Sequence, residues 1–172
     1  MKSLSNEIKR KIKYETACIN FTLVGILAGA FALVCIINSI ANVKSAVYKK
    51  FAHPSLVLSP FWCIFIWVLM SALFGAALAI ALSTPTCNGK NKTYIVLTAA
   101  SAFVLCNAWI PLIYSAASFF IATLVSLVIF ICAAGLFTLY GKISRLAAIL
   151  DIVFAVWIVY VFYFSLAMVF TS

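Results

Sequence analysis

Few side chains in this 172-residue chain carry the groups that reactions use, and their placement narrows the chemistry. Aspartate and glutamate together number three, of which only Asp151 lies inside an apolar run; the single histidine, His53, lies between two such runs. General acid–base catalysis needs titratable groups within hydrogen-bond reach of one another and of the substrate. There is no Ser-His-Asp set and no pair of acids in an apolar run, so the residues predict no acid–base active centre. The six cysteines, at 18, 35, 63, 87, 106 and 132, contain no C-x-x-C pair. They read as small buried hydrophobes rather than metal ligands or a redox pair. Asp151 remains, because an ionisable residue inside a membrane span marks a functional site by default. It would centre an ion-coupled carrier, or it would sit near a helix N-terminus, stabilised by the dipole and by Arg145 or Lys142. The other candidates are aromatic and amide groups: Trp62, Trp67, Trp109, Trp157 and Asn107, which can stack on a flat ligand or hydrogen-bond it.

The elements that must position these residues follow from composition. Apolar residues make up 67 % of the chain and charged residues 9 %, with 15 Phe, 7 Tyr and 4 Trp. The mean hydropathy is +1.22. Soluble domains are roughly 45–50 % apolar and about 25 % charged, so this chain cannot cover a water-facing surface. Spanning about 30 Å of hydrocarbon takes roughly 20 helical residues. Runs of that length fall at 18–41, 60–83, 93–114, 117–139 and 146–170, preceded by a basic segment at 1–17. The expected fold is all-α, one five-helix membrane domain over 18–172 with a lid-like first loop at 42–59. Pro54 and Pro60 precede the second run, Pro85, Asn88 and Gly89 close it, and Gly141 with Lys142 ends the fourth. Pro111 and Tyr114–Ser115 make the third break a tight, uncharged helical hairpin.

The net charge of +9 would suggest nucleic acid in a soluble protein, but the basic residues lie only between apolar runs. No nucleic-acid partner is expected. With five spans, nine basic residues fall on the side of the N-terminus and three on the other. The positive-inside rule then puts the N-terminus in the cytoplasm and the C-terminus on the opposite face. A bacterial plasma membrane is the reading taken, with an organelle membrane as the alternative.

Depth separates the tryptophans. Trp62 lies at the start of its span and Trp109 near the end of its own, where aromatic belts form. Trp67 lies a turn and a half deeper than Trp62. Trp157 lies about 16 Å past the start of the fifth span, close to the midplane. Those two either pack helices together or line a cavity. Pro60, Cys63, Trp67, Ser71, Phe74 and Leu78 share one face of the second span, and Phe154, Trp157, Val161, Phe164 and Ser165 share one face of the fifth. Asn107 requires an interhelical partner, and Gly25 and Gly29 form a small-xxx-small step that permits close helix approach.

These residues resemble the pattern of the TspO/MBR family of tryptophan-rich sensory proteins, across roughly residues 20–170. The stretch RLAAILDIVFAVWIVYVFYFS, starting at Arg145, is similar to the family's L-A-x-L-L-x-P-Y-x-x-W-x-x-F-A-x-x-L-N. Trp157 falls on the tryptophan, Phe154 on the tyrosine and Ser165 on the asparagine. In the second span, His53-Pro54, Pro60, Trp67 and Gly75 keep the family's places if one residue is deleted between Pro60 and Trp67. The third span's Asn107-Ala-Trp109-Ile-Pro111-Leu resembles L-N-x-x-W-S-P-L, one residue short. Ser59, Val153 and Ser71 stand where two prolines and a tyrosine are usual, and no glutamine precedes Asn107.

The resemblance implies a five-helix bundle, often a homodimer, whose pocket binds porphyrins such as protoporphyrin IX and whose first loop acts as a lid. Trp67 and Trp157 would stack on the macrocycle, Phe154, Trp109, Pro60 and Ser71 would wall it, and Asn107 would hydrogen-bond it. His53, with Lys44, Lys49 and Lys50, would meet porphyrin propionates or lipid phosphates. No resident cofactor or metal is expected. Some family members degrade porphyrin under light, in which case Trp67 and Trp157 would be the reacting residues. The implied role is sensing, transport or breakdown of a tetrapyrrole. The rivals are an ion-coupled carrier centred on Asp151 and a structural or assembly subunit without a pocket.

Overall fold

The computed structural model describes residues 17–42, 58–85, 87 and 89–171, apart from the Pro60 side chain. The basic segment at 1–16, His53 and the lysines of the first loop lie outside the described residues. Five helices follow in order: α1 (Phe21–Asn42), α2 (Pro60–Ser83), α3 (Gly89–Tyr114), α4 (Phe119–Ile143) and α5 (Arg145–Thr171). They run 22 to 27 residues, about 33–40 Å at 1.5 Å per residue, enough to cross a bilayer. All five are apolar enough to span one. No strand occurs among the described residues.

Local chemistry sets the helix ends. The Asn20 side-chain oxygen accepts from the Leu23 amide at 3.1 Å, capping α1. Pro60 opens α2 at the first helical position, where its missing N–H costs nothing. Ser83 and Thr84 close it by donating to the carbonyls of Ala79 and Ile80, at 2.8 and 2.9 Å. Ser144 alone joins α4 to α5. Its amide donates to the Tyr140 carbonyl at 2.7 Å, and its oxygens accept from Ala147 and Ala148 at the start of α5. Between α3 and α4 the chain turns through residues 115–118, with Ala117 in the left-handed region at φ 48°.

Around the bundle the order is α1, α2, α5, α4, α3, and α3 returns to touch α1. The outside is as greasy as the inside: Phe21, Phe61, Phe120, Ile131 and Phe170 are all exposed. Helices apolar on every face are what a lipid solvent requires. In the most apolar stretch of α1 only 11 % of residues are buried, against 50 % in α2, so α2 is central and α1 peripheral. The tightest approach of the two lies at Gly75, where an added Cβ would sit 2.7 Å from the Leu27 carbonyl oxygen. Gly25 and Gly29 meet no other helix of the same chain among the described residues. Any face of α1 is apolar, so composition does not choose which one packs.

Pro111 sits inside α3, so the carbonyl of Asn107, four residues earlier, has no intrahelical donor. The Asn38 side chain of α1 supplies one, its Nδ2 donating to the Asn107 carbonyl at 2.6 Å and to Oδ1 at 3.3 Å. Asn42 donates in turn to Asn38, and the Ser115 hydroxyl to Asn42 Oδ1 at 2.9 Å. A polar ladder thus ties α1 to α3 where a proline has freed a backbone group, as membrane helices require. Asn38→Leu should lower stability by about 1–2 kcal/mol, because it strands that carbonyl. Adding Pro111→Ala, which restores an amide donor to it, should recover part of the loss. Unfolding midpoints of the two singles and the double in detergent give the coupling directly; purely additive midpoints would contradict it.

Candidate functional site

Three of the four tryptophans converge near the ladder end of the bundle, each from a different helix. Trp67 of α2 stacks on Trp109 of α3, with ring centroids 4.9 Å apart and planes 21° from parallel. Trp157 of α5 meets Trp67 edge-on at 5.9 Å and stacks on Tyr160 at 5.0 Å. The antiparallel run of α2 against α5 makes this meeting possible, since the deep tryptophan of each helix then lies at the same level. Trp62 stays outside, 54 % exposed and edge-on to Phe61 and Phe65, as a belt residue does.

A second aromatic layer lies beneath, toward the end where α3 and α5 begin. Phe154 stacks on Phe74 at 4.5 Å, Phe74 meets Phe31 at 6.0 Å, and Phe31 stacks on Phe103 at 3.9 Å. Four helices therefore contribute one phenyl ring each. Sequence reasoning missed Phe31 and Phe103. The one signal for Phe31 was its isolation, as the single aromatic of α1 beyond its first residue.

The polar atoms near the indoles are few. Trp109 Nε1 donates to the Ser165 hydroxyl at 2.8 Å, and Ser165 donates to the Val161 carbonyl at 2.9 Å. Ser165 thus satisfies a buried indole across the α3–α5 contact. The Tyr160 hydroxyl accepts from the Leu58 amide at 3.2 Å, which pins the segment entering α2 to the rim of the cluster. Trp157 Nε1 is different: it is buried and has no hydrogen-bond partner among the described residues.

Two expected wall and contact residues turn elsewhere. Asn107 faces α1, where its carbonyl and Oδ1 accept from Asn38 and its Nδ2 donates to the Phe103 carbonyl at 2.9 Å. Its amide is spent on the helix ladder rather than offered to the indoles. Ser71 is buried against α1, within hydrogen-bonding reach of the Cys35 thiol. Pro60 opens α2 above the cluster, and His53 lies outside the described residues. Trp67, Trp109, Trp157 and Phe154 are the predicted site residues that come together.

A void remains beside the stacked pair, lined by Ser39 of α1, Cys63, Ile64 and Trp67 of α2, and Trp109, Ile110 and Tyr114 of α3. Its volume is about 10 Å³, room for on the order of one water. Sites for small organic ligands run from about 300 to 1,000 Å³. That void holds no macrocycle as it stands, so among the described residues a macrocycle enters it only if helices part. α2 and α3 touch little directly and meet mainly through the two indoles. No charged side chain lines the void, so what it offers a ligand is stacking surface and a few hydroxyl or thiol groups.

No curated protein sequence matches the chain closely enough to count as a relative. The family model described as TspO/MBR matches residues 21–170. That range runs from the first residue of α1 to the last turn of α5 and includes every residue of the indole cluster. A multi-pass integral membrane protein of five apolar helices, this chain belongs to the TspO/MBR family.

Proposed function

We propose that the indole cluster is the binding site for a flat, apolar ligand of the tetrapyrrole class, and that the protein serves its sensing, transport or breakdown. The observation carrying this reading is the unpartnered Trp157 indole N–H within a group of stacked rings. A buried donor without an acceptor costs about 1–3 kcal/mol, and a ligand carrying a ring nitrogen, carbonyl or carboxylate removes that cost on binding. Trp67 and Trp109 offer the broad faces and Phe154 the floor. Entry requires Trp67 to leave Trp109 as α1 and α2 move away from α3, which also breaks the Asn38–Asn107 and Ser115–Asn42 hydrogen bonds. The peripheral packing of α1 supports this route.

Orientation belongs to the same proposal. Nine basic residues on the N-terminal side against three favour a cytoplasmic N-terminus; a bacterial plasma membrane is the setting taken, with an organelle membrane as the alternative. The indole cluster then lies toward the outer face, at the end of the bundle where α1 ends and α2 begins. Pairing of two copies rests on the family resemblance.

The test is a titration of protoporphyrin IX in the dark into detergent-purified protein, followed by tryptophan quenching. Saturable binding is expected, weakened at least about tenfold by Trp67→Phe with Trp157→Phe, the scale of one lost stacking contact plus one hydrogen bond. Quenching that never saturates, or that the double substitution leaves unchanged, would reject the pocket. Illuminating the saturated sample then shows whether bound porphyrin is consumed.

A further inference from the structure

At the far end of the bundle from the indoles, the one acidic residue inside a membrane span has no partner among the described residues. Asp151 is fully buried, and neither carboxyl oxygen has a hydrogen-bond partner among the described residues. Tyr140 of α4 is also fully buried, its hydroxyl is likewise unpartnered, and it lies within electrostatic range of Asp151. Buried polar groups in folded proteins are overwhelmingly satisfied. Two unsatisfied ones, neighbours from different helices, mark a site.

Among the described residues the usual solutions are absent. Lys142 and Arg145, the expected partners, are exposed. Asp151 stands about 9 Å along the axis from Arg145, where α5 begins, and the helix dipole fades within the first turn. Trp67 against Trp157 and Phe74 against Phe154 fix the α2–α5 register, which places Asp151 opposite Ala77–Ala81, a stretch with no polar side chain. Thr84, a turn further on, donates its hydroxyl to the Ile80 carbonyl. The connection between α2 and α3 brings Cys87 within electrostatic range of Tyr140. Burial raises that thiol above its ordinary value against the opposing pull of Lys92, so it is neutral. Among the described residues no group of three metal-ligating side chains exists.

An isolated carboxylate in such a place costs several kcal/mol or more. The counter-ion that needs no cavity and no further ligands is a proton. We propose that Asp151 and Tyr140 form a buried proton-binding site, in which one water bridges the Asp151 carboxylic acid and the Tyr140 hydroxyl. No covalent step is involved: the proton comes from solvent at the end where α5 begins and returns there. Asp151 lies one turn before Phe154, whose ring stacks on Phe74, so gain or loss of the proton acts on the α2–α5 contact under the indole cluster. The site stands on these contacts alone, whatever the cluster binds.

Asp151 is the sole aspartate of the chain, which allows a test on the unmutated protein. Protein grown with aspartate isotope-labelled at the side-chain carboxyl carbon is reconstituted in phosphatidylcholine vesicles and its infrared spectrum recorded at neutral pH. The labelled group is expected to absorb as a protonated carboxylic acid, at lower frequency in D2O. Tyr140→Phe, which removes the partner oxygen, should shift that band upward. A labelled carboxylate at neutral pH would overturn the proposal, as would an acid band that Tyr140→Phe leaves in place.

Discussion

Replacing Trp109 by alanine is expected to cost about 3–5 kcal/mol of stability, the range for deleting a large aromatic from a packed core. Trp109 is 1 % exposed and touches Trp67 at 4.9 Å, Phe164 at 6.0 Å and Tyr114 at 6.4 Å, centroid to centroid. In a bilayer the alternative solvent is lipid, so little of this loss is water-to-oil transfer. What is lost is contact, since no side chain nearby can fill the space of an indole. The hydrogen bond is a minor share: Ser165→Ala strands the indole N–H but keeps the ring, and should cost about 1–2 kcal/mol. Trp157→Ala should fall between them, because that ring makes no hydrogen bond and is partly at the rim. Denaturant titrations of the three variants in mixed micelles would rank them. A Trp109→Ala loss no larger than that of Ser165→Ala would mean that the stacked pair adds nothing to the fold.

Gly75→Ala should be nearly as damaging for a different reason. The new methyl would meet the Leu27 carbonyl oxygen at 2.7 Å, its carbon at 2.9 Å and the Ala28 Cα at 3.1 Å. These are backbone atoms of α1, and no rotamer change moves them. Overpacking of this kind costs about 1–3 kcal/mol, relieved only by pushing α1 off α2. Because α1 is otherwise lightly buried, the expected product is a bundle with α1 displaced rather than an unfolded chain. Cys35, buried on α1 beside Ser71, reports it. Its modification by a membrane-permeant maleimide, read by peptide mass, should rise in Gly75→Ala and stay low in Gly25→Ala or Gly29→Ala, where a methyl meets nothing. Equal labelling in all three would show that the contact at Gly75 is not what holds α1.

The architecture was legible because each span is a long apolar run, but two expected breaks are misplaced: Pro111 lies inside α3 and Gly141 with Lys142 inside α4, and the chain turns instead at residues 115–118 and at Ser144. That Trp67 and Trp157 face the bundle interior was legible as well, since a tryptophan too deep for the interface packs against another helix or lines a cavity. The direction of Asn107 was written less openly. Pro111 stands four residues after it, and that spacing implies a freed carbonyl and hence a donor on a neighbouring helix; only the neighbour's identity, Asn38, needed the fold. The isolation of Asp151 had a signal too: Lys142 and Arg145 are nine and six residues away, not the three or four that bring helical side chains together. Other features were not readable. Which of three glycines touches another helix, and whether the indoles stand apart or close on one another, depend on packing between faces that are all equally apolar.

The ring order α1, α2, α5, α4, α3 has a consequence for how the protein is made. Segments leave the ribosome in numerical order, and neighbours in sequence can pair as soon as both are in the membrane: α1 with α2, then α3 with α4. The indole cluster needs α2, α3 and α5, and α5 lies between α2 and α4 in the finished bundle. Until α5 is synthesised, Trp67 and Trp109 lack the helix that carries Ser165 and Trp157, and the inner faces of α2 and α4 stay open to lipid. Of these five helices the last to emerge is the one that closes the ring, so the indole cluster is assembled only once α5 has entered the membrane.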